Sequence, residues 1–253
     1  MQDRRYMVTG AAGGIGRAIT EVLLQRGARV AMVDLDGDRI QETADGFDGN
    51  RVLPLSCDVT NEADVAVAVE TMVGTWAGID GLVNNAGAVV LDTAWDAGAA
   101  DWRRQLDVNV TGTFLCSRQV GNHLKDQGGG AIVNVASNCG KVGYKNMAAY
   151  NAAKAAVISL TRSLSMEWAE HNINVNAVCP GGVDTPMLAG VAEWLEPRVG
   201  VPAAELLAGM GPAQLGRRVQ PAEVARVIAF LLSDDALIIR GQAINVDGGD
   251  TPY

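Results

Sequence analysis

Tyr150 and Lys154 stand four residues apart in the stretch Ala148–Ala156, where their neighbours are alanines and one asparagine. That spacing places the phenol and the ammonium on one face of a helix. An ammonium a few ångströms from a phenol favours the phenolate and lowers its pKa, which makes the phenol a general base near neutral pH. From this pair alone, an exposed tyrosine and lysine on a solvated helix face is the alternative.

A second pattern begins at Thr9. The run Thr9-Gly10-Ala11-Ala12-Gly13-Gly14-Ile15-Gly16 follows a short apolar segment and opens a helical one. Glycines at such a junction let the backbone turn tightly and approach a pyrophosphate, which free N–H groups and the dipole at the helix N-terminus then stabilise. Asp34 ends the next apolar run, 18 residues beyond Gly16. A carboxylate at that spacing accepts hydrogen bonds from an adenosine ribose diol and repels a 2′-phosphate. Neither Gly13 nor Leu35 supplies a cation to offset it, so NAD is expected over NADP. The other reading of Asp34 is a cap or turn residue before the following helix.

The elements that must hold these groups follow from periodicity. Strands are expected at Tyr6–Val8, Arg29–Val33, Arg51–Leu55, Gly81–Val83, Ala131–Val135, Ile173–Val178 and Gln242–Val246, and helices near 15–26, 37–46, 61–76, 100–126, 148–170 and 221–232. Alternating helices and near-continuous apolar strands imply a parallel sheet covered on both faces. The expectation is therefore one α/β domain over 1–253, a doubly wound (Rossmann) sheet, with no linker or repeat dividing it. The stretch 187–220 breaks the rhythm with Pro197, Pro202 and Pro212 and weak helical periodicity. It is expected to be a lid over a substrate site, the alternative being a surface helical pair of structural role only.

Composition removes several classes of function. The 253 residues carry 20 Lys+Arg against 29 Asp+Glu, a net charge of −9, so no basic footprint for nucleic acid or an anionic membrane is expected. Cys57, Cys116, Cys139 and Cys179 lie far apart and read as reduced core thiols of a cytoplasmic protein. With only His123 and His171 and no paired-ligand spacing, no metal site is expected. The N-terminus lacks a signal-peptide apolar region, and no run of about 18 apolar residues occurs anywhere.

Taken together, the motifs resemble those of the short-chain dehydrogenases/reductases over nearly the whole chain. Beside the glycine-rich run and Tyr150-x-x-x-Lys154 stand Asp58 in Cys57-Asp58-Val59, Asn84-Asn85-Ala86-Gly87 and Asn109 in the long central helix. Ser137 follows the fifth strand, and Pro180-Gly181-x-x-x-Thr185 follows the sixth. The resemblance implies that Tyr150 exchanges a proton with a substrate oxygen and that Lys154 lowers its pKa and binds the nicotinamide ribose. Ser137 would hold the substrate oxygen, and Asn109 would anchor a water joining Lys154 to solvent. Gly10, Gly14, Ile15 and Gly16 would cradle the dinucleotide, and Asp58 with Val59 would meet the adenine. Asn85, Ala86 and Gly87 would border the adenosine ribose and pyrophosphate, and Pro180, Gly181, Val183 and Thr185 the carboxamide. A homotetramer built through helices is implied as well.

For the substrate, Ser137, Asn138, Lys141, Tyr144 and Tyr150, with Met187, Leu188 and Trp194 from the lid, describe a polar pocket with one aromatic wall. The lid spacing and the ending Gly241–Gly249 resemble the polyol, diol and acetoin dehydrogenase branch. Lys141, Lys145 and Arg198 could instead reach an anionic group, against the reading that they are ordinary surface cations. The rivals are a 3-oxoacyl carrier-protein reductase, whose usual NADPH preference conflicts with Asp34, and a non-catalytic dinucleotide sensor or scaffold, which has no use for a proton relay.

Overall fold

The computed structural model describes residues 1–252. Seven strands, β1 (Arg5–Thr9), β2 (Arg29–Asp34), β3 (Val52–Ser56), β4 (Gly81–Asn84), β5 (Gly130–Val135), β6 (Ile173–Pro180) and β7 (Ala243–Val246), run in the order β3-β2-β1-β4-β5-β6-β7. Every neighbouring pair is parallel. Chain order reverses between β1 and β4, and a doubly wound sheet opens its binding crevice at such a switch point, beyond the C-terminal strand ends.

Strand alternation sorts the core into two layers. Tyr6, Val8, Val30 and Met32 pack with α1 (Gly14–Gln25) and α9 (Pro221–Leu231) on one face. Met7, Ala31, Val33 and Leu82 pack with α3 (Glu62–Trp76) and α5 (Gly112–Gln127) on the other. Both faces are thus dry, which is why the strands read as continuous apolar runs. The short helix α2 (Gly37–Ala44) follows β2, capped by the Asp36 carboxylate, which accepts from Arg39 N at 3.0 Å.

Polar side chains inside this core are paired. Asn84 Nδ2 donates to Ser117 Oγ and to Asn134 Oδ1 at 2.8 Å each, and Asn134 Nδ2 donates to Thr161 Oγ1 at 2.9 Å. The chain joins β4, β5, α5 and α6 (Ala148–Glu167) and fixes how the helices carrying the site residues sit on the sheet.

Two elements differ from the periodicity. The single helix expected over 100–126 is α4 (Ala99–Leu106), a π turn at Asp107–Thr111 and then α5. The weakly periodic stretch 187–220 holds two helices, α7 (Pro186–Val199) and α8 (Ala203–Gly209). Thr185 caps α7 and Pro186 occupies its first turn, where a missing N–H costs nothing. Pro197 lies near the end of α7 without ending it. Among the described residues no helix is long and apolar enough to cross a membrane.

Candidate active site

The glycine-rich turn between β1 and α1 is locked by backbone contact. Gly10 has φ +64°, and a Cβ on it would stand 2.9 Å from Ala86 Cα; a Cβ on Gly16 would stand 2.1 Å from the Gly10 carbonyl oxygen. Asn85 Nδ2 donates to Thr9 O and Gly10 O at 3.0 Å each, while Thr9 Oγ1 accepts from Asn85 N and Ala86 N at 3.0 Å. The loops after β1 and β4 are therefore one unit. No side chain caps α1 at Gly13, so its first N–H groups face outward uncapped. Gly14, at φ +53°, faces the Thr185 side chain, whose Cγ2 would stand 3.6 Å from an added Cβ, which brings the start of α7 to the same loop.

Around the rim, Asp34 Oδ2 accepts from Ala12 N at 2.9 Å. Asp58 Oδ1 accepts from Thr60 N and Thr60 Oγ1, and Val59 packs against Gly112. Gly181 abuts Asp247, and Val183 bridges to Val219. Thr185 Oγ1 donates to Val183 O at 3.2 Å. One rim residue was missed by the spacing. Although Gly13 and Leu35 bring no cation, α2 lays the Arg39 guanidinium over Gly13, where an added Cβ would stand 2.5 Å from Nη2.

Beyond the glycine turn, Ser137, Tyr150 and Lys154 converge at the ends of β5 and α6. Lys154 is 4% exposed, and its Nζ donates to Val135 O at 2.9 Å and lies 5.5 Å from the Tyr150 ring centre. Ser137 is buried and its Oγ accepts from Cys139 N at 3.1 Å. Gly140 permits the approach, since a Cβ there would stand 2.7 Å from the Lys154 carbonyl. Asn109 occupies the π turn, a distortion that recurs at functional positions. Its Nδ2 is spent on Ala88 O and Gln105 O, 2.8 Å each. Its buried Oδ1 and Lys154 Nζ border the same side of Gly87, where an added Cβ would stand 2.9 Å from the first and 3.5 Å from the second.

The electrostatics of the pair differ from the sequence expectation. Burial, helped by the Cys139 thiol, pushes the Tyr150 phenol above the usual tyrosine range, with the Ser137 hydrogen bond acting the other way. Burial also pulls Lys154 down to about 8. Burial is the largest cause for both groups and disfavours the phenolate and the ammonium alike.

Not all the substrate candidates gather there. Asn138 Oδ1 accepts from Ser137 Oγ at 3.3 Å, and Asn138 Nδ2 donates to Tyr144 OH at 2.8 Å, so these residues form one group. Lys141 Nζ instead donates to Ala243 O at 2.8 Å, toward β7. Arg198 stacks on Trp194 at 3.6 Å and donates to its carbonyl, which commits both to the outer part of α7. Met187 is 45% exposed on the same helix. Among the described residues no hydrogen bond or ring contact joins Met187 or Trp194 to Ser137 or Tyr150.

A glycine turn at the switch point of a doubly wound sheet, beside a half-buried phenol and a buried amine and hydroxyl, defines a dinucleotide-binding oxidoreductase fold. A family model described as enoyl-(acyl carrier protein) reductase matches residues 10–251. The chain is 40% identical over 252 residues to the cis-4-hydroxycyclohexanecarboxylate dehydrogenase of Sinomonas cyclohexanicum, covering 98% of this chain and 97% of that one. It is 36% identical over 249 residues to the NAD-dependent glycerol dehydrogenase of Listeria innocua, covering 98% and 94%. A crystal structure of an actinorhodin polyketide ketoreductase with NADPH matches with a TM-score of 0.94, at 34% identity and 100% of both chains. The chain belongs to the short-chain dehydrogenase/reductase family, and it is an enzyme, an oxidoreductase.

Proposed function

We propose that the protein is an NAD(H)-dependent dehydrogenase interconverting a secondary alcohol and its ketone on a small polar substrate, a polyol, diol or hydroxyketone. The observation that carries this reading is the cluster of buried Ser137 and Lys154 with half-buried Tyr150 at the same strand ends as the glycine turn. The residues fit a dinucleotide. Gly10 and Gly16 let the turn after β1 close tightly on itself and on the loop after β4, where a Cβ on either would overlap backbone, and the start of α1, which no side chain caps, offers N–H donors to a pyrophosphate. Asp34 would take the ribose diol, Asp58 and Val59 the adenine, Asn85, Ala86 and Gly87 the ribose edge, and Pro180, Gly181, Val183 and Thr185 the carboxamide. When bound, the nicotinamide dinucleotide supplies the hydride acceptor or donor.

The chain supplies alignment and proton movement. The Ser137 hydroxyl holds the substrate oxygen next to the Tyr150 phenol, which takes its proton in oxidation and returns it in reduction. Lys154, near neutrality and fixed on Val135 O, stabilises the phenolate when it forms. Asn109 Oδ1, buried and facing the same side of Gly87 as Lys154 Nζ, is an acceptor for the water that carries the proton outward. The pair α7–α8 acts as the lid.

A carboxylate at Asp34 supports NAD over NADP, and Arg39 beside Gly13 is the group that could soften that choice. Four free thiols support a reducing, cytoplasmic setting. The apolar side chains Trp102, Phe114 and Met166, exposed on α4, α5 and α6, support a homotetramer assembled through those helices. The test is a coupled assay over polyols, diols, hydroxyketones and hydroxy acids with NAD and NADP in parallel. Turnover of secondary alcohols with a higher kcat/KM for NAD is expected; tight NADH binding with no turnover of any alcohol or ketone would overturn the reading in favour of a sensor.

A further inference from the structure

The segment after β7 carries a carboxylate to the substrate side of the site. Asp247 is buried and accepts from Gly249 N, Thr251 N and the Thr251 hydroxyl, while Asn245 Nδ2 donates to Thr251 Oγ1 at 2.7 Å. Gly248 and Gly249, at φ +66° and +85°, let the chain fold back on itself. The resulting turn presses Asp250 against the loop that follows Ser137. Its Oδ2 accepts from Tyr144 OH at 3.0 Å and from Asn138 Nδ2 at 2.9 Å.

Asn138 is 5% exposed, and its other amide atom accepts from Ser137 Oγ. A carboxylate is acceptor-only, so it dictates that Nδ2 faces Asp250 and Oδ1 faces Ser137. The Asp250 charge thereby stands two hydrogen bonds from the hydroxyl assigned to the substrate oxygen. Among the described residues Asp250 Oδ1 takes no hydrogen bond, and no ion pair neutralises the carboxylate. Lys141 Nζ is held on Ala243 O. Asp250 and Tyr144 are both exposed, so the acceptor is reachable from outside.

We propose that Asp250 is a specificity-determining residue: held by Tyr144 and Asn138, its carboxylate accepts a hydrogen bond from the second hydroxyl of a neutral diol or polyol and repels substrates bearing a carboxylate, sulfonate or phosphate. The assignment rests on the secondary-alcohol dehydrogenase reading above and narrows its substrate class. A neutral donor gains a charge-assisted hydrogen bond, whereas an anion meets a like charge.

The test uses a matched pair, butane-2,3-diol and 3-hydroxybutanoate, with the full-length enzyme. In Asp250→Asn the ratio of kcat/KM for diol over hydroxy acid is expected to fall at least about tenfold, the scale of a removed like-charge contact. Tyr144→Phe keeps the charge and loses one donor, so its ratio should stay within about threefold of the wild type. An unchanged ratio in Asp250→Asn, or an equal fall in Tyr144→Phe, would overturn the proposal, the second outcome tracing the effect to loop packing.

Binding of the same two ligands to the Tyr150→Phe protein with NAD, with and without Asp250→Asn, separates this inference from the one beneath it. A shifted binding ratio without turnover of any alcohol by wild type sinks the dehydrogenase reading and keeps Asp250 as a ligand-selecting group. Binding of neither ligand, or an unshifted ratio, removes that role.

Discussion

At the dinucleotide end, Thr9, Gly10, Gly16 and Asn85 hold one another through carbonyls, amide N–H groups and the absence of side chains. At the substrate end, Ser137, Asn138 and Tyr144 meet Asp250 from a segment more than a hundred residues away, and they meet through side chains. Gln214, between α8 and α9, adds a third segment by donating to Gly249 O at 3.0 Å. The first construction is geometric and tolerates no added atom. The second is a set of separate hydrogen bonds, each worth about 1 kcal/mol net, and can be exchanged one contact at a time. A scaffold of this kind keeps its cofactor and changes its substrate.

The sharpest break between the two ends is at Tyr150, which belongs to the chemistry alone. Tyr150→Phe should lower kcat by roughly 10²- to 10⁴-fold, the range of a lost general acid–base group, with NADH affinity by fluorescence titration unchanged. Next is Gly16→Ala, whose new Cβ would overlap the Gly10 carbonyl oxygen. Overpacking of about 1–3 kcal/mol should appear as a lower melting temperature and weaker NADH binding. Gly49→Ala, with nothing within 4 Å of the added atom, should stay within about 0.5 kcal/mol of wild type.

At the rim, Asp34→Ser removes the carboxylate and leaves the Arg39 cation beside Gly13. The NAD:NADP ratio of kcat/KM should fall at least about tenfold, since a like-charge contact with a 2′-phosphate is lost. The pH profile tests the buried pair. Lys154 is lowered to about 8 and so is cationic below that value and neutral above it, while Tyr150 is raised and holds its proton at neutrality. Alcohol oxidation needs a proton acceptor and should quicken from pH 7 toward 9; ketone reduction needs a donor and should slow over the same range. A flat profile in both directions would show that release of another species, not this proton, limits the rate. After α8, Gln214→Ala should raise the alcohol KM about three- to fivefold, as one exposed hydrogen bond is lost, and leave the NADH dissociation constant alone.

The two ends also differ in how far the sequence discloses them. The cradle is local: the glycines, the strand before them and Asp34 lie within 30 residues, and φ +64° at Gly10 is a conformation glycine takes at least steric cost. Ser137 and Lys154 are legible for another reason, because each stands at a strand end or on a helix face that the 2.0 and 3.6 periods specify. The break of the central helix at Asn109 was not legible, since a π turn leaves the apolar spacing on either side nearly intact. The helices α7 and α8 were obscured by Pro197 and Pro202, which lower local propensity although the caps at Thr185 and Pro186 suffice to start α7. Lys141 and Arg198 looked like ligands because a charge in sequence carries no direction. In the fold, one points to a β7 carbonyl and the other lies on an indole.

The sequence by itself determined the alternating elements, the glycine turn, the acid that follows it and the tyrosine–lysine helix face, since each depends on residues within a turn or two of one another. Only the tertiary structure decided the charge state of the buried pair and the appearance of Asp250 beside Asn138. Desolvation is set by everything that packs around a group, and a carboxylate beyond the last strand reaches Asn138 only once the sheet has closed the distance between them.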